Sequence, residues 1–113
     1  MSSNVISVGE NDFDRVVLAS KTLVLVDFWA VWCSPCIMIT PVLEELSTIY
    51  AQHLLIARVD IDKNRGLVGR YHVCSLPFLM VFNRGQIQST CARVVCLGEL
   101  RQIIQRTLAA VAA

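Results

Sequence analysis

Residues 23–36 have the sequence LVLVDFWAVWCSPC, in which an apolar run of β-forming residues leads into two closely spaced cysteines. The run Leu23–Trp29 predicts a buried strand, and the helical pattern that follows places the cysteine pair where this strand runs into a helix. At a helix N-terminus, unpaired backbone N–H groups and the helix dipole favour a thiolate over a thiol. Because the thiolate is the nucleophile, the stretch predicts thiol–disulfide exchange, with Cys33 attacking and Cys36 resolving.

A Cys-x-x-Cys pair also has two structural interpretations. One is half of a zinc site, which normally needs a second compact pair of ligands. The remaining cysteines and histidines do not form such a pair; they are Cys74, Cys91, Cys96, His53 and His72. The other is a purely structural disulfide, which would close almost no loop and so would restrain the unfolded chain little. Redox chemistry fits the pattern better than either.

Composition narrows the classes of protein to consider. The 113 residues predict one domain, residues 1–113, and a hydrophobic content of 55% suits a sheet covered by helices on both faces. The net charge is +1 and the arginines are scattered, so we expect neither nucleic acid nor a membrane as a partner. Met1–Asn4 lacks the features of a secretory signal, and five cysteines cannot all pair, which together predict a cytoplasmic protein.

The remaining periodicity predicts a three-layer α/β sandwich with elements in the order β-α-β-α-β-α-β-β-α. We expect strands over Val5–Val8, Leu23–Trp29, Leu54–Val59, Phe78–Phe82 and about Ile87–Ala92, with a hairpin loop at Asn83–Gly85. Helices are expected near Phe13–Val17, from Cys33 to Tyr50, near Leu67–Tyr71 and over Leu100–Val111. The sheet should be parallel where helices cross over and antiparallel at the last hairpin.

The helix that follows the cysteines carries one apolar stripe and one proline. The stripe comprises Ile39, Val42, Leu43, Leu46, Ile49 and Tyr50, with Glu44, Glu45 and Ser47 away from it. Pro41 removes one backbone donor and crowds the preceding turn, so it should kink the helix.

Asp27 is an anomaly, because it is a carboxylate in the middle of an apolar strand. Burial disfavours the charged form and raises the pKa, which would suit a proton acceptor near neutral pH. The alternative is a carboxylate satisfied by backbone donors or by a nearby Arg or Lys.

The chain resembles the thioredoxin family over essentially its whole length. The matching motifs are Val26–Ala30, Trp32–Cys36, Pro41, Val59–Asn64, Ser75–Pro77, Leu79–Phe82 and Gly85, in the family's order and spacing. The resemblance implies a three-layer α/β/α thioredoxin fold with a mixed five-stranded sheet and about four helices.

The resemblance also implies roles for single residues. Cys33 resembles the nucleophile and Cys36 the buried resolving thiol, while Asp27 resembles the carboxylate that assists proton transfer to and from Cys36. Pro77 resembles the family's cis-proline, which presents the backbone of Leu76 to an extended substrate. Trp29 and Trp32 match the family's aromatic pair near the site.

Four residues depart from the family pattern on the surface that should meet partners. Ser34 replaces a Gly, Ile37 a basic residue, Phe78 a Thr and Arg93 a Gly. The predicted substrate-binding residues are Trp32, Ser34, Pro35, Leu76, Phe78 and Arg93. A bulky Phe78 and a charged Arg93 would restrict the clients, unless these changes are neutral drift. Cys74 is either a regulatory thiol or a small buried hydrophobe, and we expect Cys91 and Cys96 to be small hydrophobes.

The predicted function is that of a protein-disulfide reductase in electron transport and cell redox homeostasis. Its partners would be disulfide-containing clients and a thioredoxin reductase, and the protein would be a monomer. No metal or bound cofactor is expected, because the Cys33–Cys36 dithiol is the redox centre. Two alternatives remain open: a specialised relative poised as an oxidant or isomerase with few clients, and a largely non-catalytic docking module.

Overall fold

The computed structural model describes residues 4–112, which form a five-stranded sheet with the strand order β1-β3-β2-β4-β5. The strands are β1 (Val5–Ser7), β2 (Leu23–Trp29), β3 (Leu54–Asp60), β4 (Phe78–Asn83) and β5 (Gln86–Cys91). The helices are α1 (Ser34–Met38), α2 (Thr40–Ile49), α3 (Arg65–Arg70) and α4 (Leu97–Ala112), and a π-helical turn covers Asp14–Leu18. The predicted mixed sheet and four helices are confirmed. Residues 1–3 of the segment predicted to lack a secretory signal lie outside the described residues.

The strand directions differ from the prediction at one connection. β1 and β2 both run parallel to β3, whereas β4 runs antiparallel to β2 and β5 antiparallel to β4. The expected parallel pairing at helical crossovers is therefore confirmed for β1 and β2 against β3, but it was wrong for β4, which follows α3. The six-residue α3 rises only about 9 Å against about 23 Å for the seven-residue β3, so this helix does not carry the chain back along the strand. The chain accordingly enters β4 at the end of the sheet where β3 finishes.

The central strand β2 is buried on both faces, as its continuous apolar run predicts. Leu23 and Leu25 pack against apolar residues of α2 and α4 on one face. Val24, Val26 and Phe28 pack on the other face against an aromatic group. Its rings are Phe13, Tyr71 and Phe82, with centroids 5.5 to 6.1 Å apart. Asp27 therefore lies on the α2 face, at the end of β2 that leads to the cysteines.

The predicted kink at Pro41 is a complete break between α1 and α2. The two helices are separated at Ile39, and Pro41 occupies the first turn of α2. The stripe on α2 is confirmed for Ile39, Leu43, Leu46 and Tyr50, but Ile49 is 42% exposed. Ser47 is buried, contrary to the prediction, because its hydroxyl donates to the Glu44 carbonyl at 3.2 Å and so needs no water. No helix in residues 4–112 is long and apolar enough to cross a membrane.

Candidate active site

The cysteine pair caps the helix that follows β2. Cys33 has an extended backbone and is the N-cap of α1, and its sulfur accepts a hydrogen bond from the Cys36 N–H at 3.2 Å. Pro35 follows in the first turn, where a missing N–H has no cost. Cys33 and Cys36 form a disulfide with their Cα atoms 5.3 Å apart. The predicted position of Cys33 against the backbone donors of a helix start is confirmed.

The two sulfur-bearing residues differ in their surroundings. Cys33 retains 6% exposure, whereas Cys36 is completely buried. Ala30, Trp29, Ile61 and Leu76 complete the small apolar cluster around them. A client protein can therefore approach Cys33, while Cys36 is enclosed by its neighbours.

An uncharged groove lies beside Cys33. Its volume is 510 Å³, and its walls are formed by Trp32, Cys33, Ser34, Pro35, Ile61, Val73, Cys74, Ser75 and Leu76. Four predicted substrate-binding residues thus share this groove: Trp32, Ser34, Pro35 and Leu76. The Leu76–Pro77 peptide bond is cis, as the resemblance implied.

Trp32 stands at the edge of the groove and is held by an acidic side chain. Its indole is 65% exposed, and its N–H donates to Asp62 Oδ2 at 2.8 Å. The Asp62 N–H in turn donates to Asp60 Oδ1 at 2.9 Å. Asp62 was not among the predicted site residues, although it belongs to a motif on which the resemblance rests. Its hydrogen bond fixes the orientation of a large apolar surface next to Cys33.

Asp27 is paired with a cation beneath the disulfide. Its side chain is fully buried, and Arg58 Nε donates to Asp27 Oδ2 at 2.8 Å. The same guanidinium donates to the Cys36 carbonyl at 3.4 Å and to the Thr40 hydroxyl at 3.0 Å. It also stacks over Trp29, with its carbon 4.8 Å from the ring centroid. Arg58 thus connects the buried acid to the backbone of the resolving cysteine and to the start of α2.

The surroundings of Asp27 bring the pKa of its carboxyl group close to neutral pH. Burial raises the pKa of Asp27 from its usual 3.8 to about 6, and the attraction and hydrogen bond of Arg58 oppose part of that rise. Oδ1 of Asp27 has no hydrogen-bond partner among residues 4–112. The two interpretations of Asp27 therefore each describe part of the site. Arg58 satisfies one carboxylate oxygen, as the structural interpretation expects. The pKa is nevertheless raised and the second oxygen can take a proton, as a proton acceptor requires.

Arg58 is the main residue that sequence reasoning missed, since it was grouped with the scattered surface arginines. Its side chain is only 14% exposed. Alternation along β3 carried the signal, because Arg58 shares a face with the buried Leu54 and Ile56. In the sheet it stands directly opposite Asp27.

Two predicted substrate-binding residues, Phe78 and Arg93, are not part of the groove lining. Phe78 is half-buried in β4, with its ring centroid 5.9 Å from that of Phe28. Arg93 lies in the loop after β5, where its guanidinium pairs with Glu99 and donates to the Val94 carbonyl. Neither side chain lines the groove.

The three other cysteines are free thiols in different settings. Cys91 packs partly against the core under α4, which agrees with a small hydrophobe. Cys96 is exposed, so the prediction that it packs as a small hydrophobe was wrong. Cys74 is also exposed, which disagrees with its interpretation as a small hydrophobe and leaves that of a regulatory thiol. Both cysteines lie in connecting segments. In the part of the chain that the structure describes, no cluster of His, Cys, Asp or Glu could hold a metal ion.

Comparison with known proteins supports the chemistry read from this site. The sequence model of a family described as Thioredoxin matches residues 4–106. A thioredoxin of Acidithiobacillus ferridurans is 36% identical over 108 residues, covering 96% of this chain and 100% of the relative. A thioredoxin of Mycobacterium tuberculosis is 40% identical over 106 residues, covering 90% and 91%. Because these matches extend over nearly all of the fold and include both cysteines of the disulfide, the chain belongs to the thioredoxin family of thiol–disulfide oxidoreductases.

Proposed function

We propose that this chain is a protein-disulfide reductase that passes electrons from a thioredoxin reductase to disulfide-containing client proteins. The observation that carries the proposal is the unequal exposure of the two cysteines, with Cys33 opening onto a groove and Cys36 enclosed. The proposal includes a single domain over residues 1–113 that works as a cytoplasmic monomer. It needs no bound cofactor, because the Cys33–Cys36 dithiol carries the electrons.

In the first step, the Cys33 thiolate of the reduced protein attacks one sulfur of a client disulfide. A bond forms between Cys33 and that sulfur, and the other client sulfur leaves as a thiolate. Trp32, Ser34, Pro35 and Leu76 line the groove in which the client segment would lie. Leu76 precedes Pro77, and by its resemblance to the thioredoxin family its backbone would pair with an extended client segment in this groove.

In the second step, Cys36 loses its proton and attacks the Cys33 sulfur of the mixed disulfide. The Cys33–client bond breaks, the client leaves as a second thiolate, and the Cys33–Cys36 disulfide forms. Asp27 accepts the Cys36 proton, and a pKa of about 6 suits this transfer near neutral pH. Arg58 is a positioning residue here, because it holds the Asp27 carboxylate and the Cys36 carbonyl on one guanidinium. Reduction of the disulfide by the reductase returns two electrons and two protons.

The decisive experiment couples a redox titration of Cys33 and Cys36 to insulin reduction with NADPH and a thioredoxin reductase. We expect one two-electron couple and sustained insulin reduction. As a control, a variant with Cys74, Cys91 and Cys96 all changed to Ser should behave like the unaltered protein. If the chemically reduced protein leaves insulin intact, the proposal is wrong.

The same experiment separates the alternatives. A potential far more oxidising than that of reductase-coupled thioredoxins would favour an oxidant or isomerase. A docking module would titrate without turning over any client. Restriction of the clients has one supporting observation, the large exposed guanidinium of Arg93 where the family keeps a Gly.

A further inference from the structure

We infer that Cys91 and Cys96 form a second redox-active pair, which a low-molecular-weight disulfide such as glutathione disulfide converts to a protein disulfide. Both are free thiols in this structure, and four residues separate them in the chain. Cys91 is the last residue of β5, and Cys96 directly precedes α4. The pair is distinct from Cys33 and Cys36, so its chemistry does not depend on the proposed function.

The chain folds back on the core between the two cysteines. Val95 is buried in the cluster that also contains Leu100, and Cys91 packs partly against the same cluster. Cys91 and Leu100 line one small cavity. The Leu100 N–H donates to the Cys96 carbonyl at 3.1 Å, which places Cys96 one helical turn before Leu100. Both cysteines are therefore close to the first turn of α4.

The residue between the cysteines also connects them. The Cys91 thiol donates to the Arg93 carbonyl at 3.9 Å, so its sulfur is directed towards the segment that leads to Cys96. The Arg93 guanidinium pairs with Glu99 in the first turn of α4 and interacts electrostatically with both Cys91 and Cys96. Residues 92–96 form a connecting segment, whose backbone can adjust to the geometry that a disulfide requires.

The unequal exposure of the two thiols sets the order of the steps. Cys96 is exposed, whereas Cys91 is half-buried. The Cys96 thiolate attacks one sulfur of glutathione disulfide, a bond forms between these sulfurs, and one glutathione leaves as a thiolate. Cys91 then loses its proton to water and attacks the Cys96 sulfur, which releases the second glutathione as a thiolate. Two protein thiols are oxidised, and one glutathione disulfide is reduced to two molecules of glutathione.

The position of Arg93 allows the product to be identified directly, because trypsin cleaves the chain between the two cysteines. After complete digestion, Cys91 is in the peptide Gly85–Arg93 and Cys96 is in the peptide Val94–Arg101. The reduced protein is treated with excess glutathione disulfide, quenched in acid, alkylated and separated on a non-reducing gel. We expect mass spectrometry of the digested monomer band to find these two peptides joined by a disulfide.

Serine variants test the assigned order of attack. Cys91→Ser should stop at a glutathione adduct on Cys96. This adduct should be about tenfold more abundant than in the unaltered protein, where the neighbouring thiol displaces the glutathione. Cys96→Ser should form little adduct on the half-buried Cys91. Cys74→Ser is the matched control, because it removes another exposed free thiol and should leave the joined peptides unchanged.

Three results would overturn the inference. One is a glutathione adduct on Cys96 that is as abundant in the unaltered protein as in Cys91→Ser. The second is the joined peptides occurring only in a dimer band, and the third is unreacted thiols at both positions. Each of them would leave the proposed function intact, because insulin reduction by Cys33 and Cys36 is measured separately.

Discussion

The inner and outer sides of the disulfide differ in whether charged side chains surround it. On the inner side, Asp27 and Arg58 form a buried ion pair beneath Cys36. On the outer side, Cys33 opens onto a groove whose lining residues carry no charge. The difference indicates that the buried ion pair lies where a proton has to move, whereas the walls of the groove that would receive a client are uncharged.

The inner pair is a poor way to gain stability. Removing two charges from water has a cost that their attraction often fails to offset. Here the offset is incomplete, because the pKa of Asp27 stays at about 6 despite its contact with Arg58. The outer side also has a free-energy cost, since most of the large apolar side chain of Trp32 is left in water. Both costs are consistent with function rather than with folding.

The largest effect should come from the cysteines, where the two sides meet. Cys33→Ser should lower client reduction by about three orders of magnitude or more, because the attacking sulfur is gone. Cys36→Ser should retain the first attack and accumulate mixed disulfides, which Cys33→Ser should not form. Non-reducing gels after incubation with a client measure both outcomes. Mixed disulfides formed by Cys33→Ser would reverse the assigned roles.

Asp27→Asn should remove the free-energy cost of burying an ionised carboxylate in β2. Since the pKa of Asp27 is raised in the folded protein, its favourable contribution is full below about pH 4 and is lost as pH rises through about 6. The Asn variant has no such loss, so above pH 6 its free energy of unfolding should exceed that of the unaltered protein by about 3 kcal/mol. Urea unfolding across pH measures the difference.

Asp14→Asn is the control for that measurement. Asp14 is exposed and pairs with Arg70, which lowers the pKa of Asp14. Its small contribution is present at neutral pH and fades in acid, so the variant should gain nothing as pH rises. A gain in Asp14→Asn equal to that in Asp27→Asn would show that burial is not the cause.

Variants of Arg58 test whether this residue acts on Asp27 and Cys36 through its charge or through the geometry of its hydrogen bonds. Arg58→Met removes the cation that lowers the pKa of Asp27, so the pH midpoint of mixed-disulfide decay should rise by about one unit. Arg58→Lys keeps the charge but loses the planar fork that reaches Thr40 and Cys36, so the decay should slow by a fewfold at a nearly unchanged midpoint. Arg70→Met, at the surface pair, should change neither quantity. Identical midpoints for Arg58→Met and the unaltered protein would contradict the assigned role.

The smallest effect should come from the family departures outside the groove. Arg93→Gly should raise insulin reduction about twofold if the guanidinium hinders large clients. Phe78→Thr should leave that rate unchanged and lower the free energy of unfolding by about 2 kcal/mol, since the ring packs on Phe28. A faster rate from Phe78→Thr alone would place this ring at the client surface.

The sequence predicts the site well where local patterns suffice. The apolar run of β2 predicts a doubly buried strand, and Pro41 predicts the end of α1. The cysteine pair falls at the strand–helix junction that these patterns define. The cis peptide at Pro77 could be expected only from the resemblance, because most X-Pro bonds are trans.

The features that the sequence did not predict depend mainly on contacts between segments that are distant in the chain. The partnership of Arg58 with Asp27 depends on the register of β2 against β3, which composition does not reveal. The antiparallel pairing of β4 with β2 likewise sets Phe78 opposite Phe28, a contact that its place after Pro77 does not reveal. The exposure of Cys74 and Cys96 follows from connecting segments that carry no periodicity.

The most direct test of the account follows formation and decay of the mixed disulfide separately, in the unaltered protein and in Asp27→Asn. Stopped-flow mixing with a fluorescent disulfide peptide can resolve both steps across pH. We expect formation to be unchanged and decay in Asp27→Asn to be about tenfold slower or more near neutral pH, because Cys36 has lost its proton acceptor. The two proteins should converge at high pH, where the solvent removes that proton. Unaltered decay at neutral pH would mean that Asp27 is only a buried acid satisfied by Arg58, and that the proton leaves Cys36 by another route.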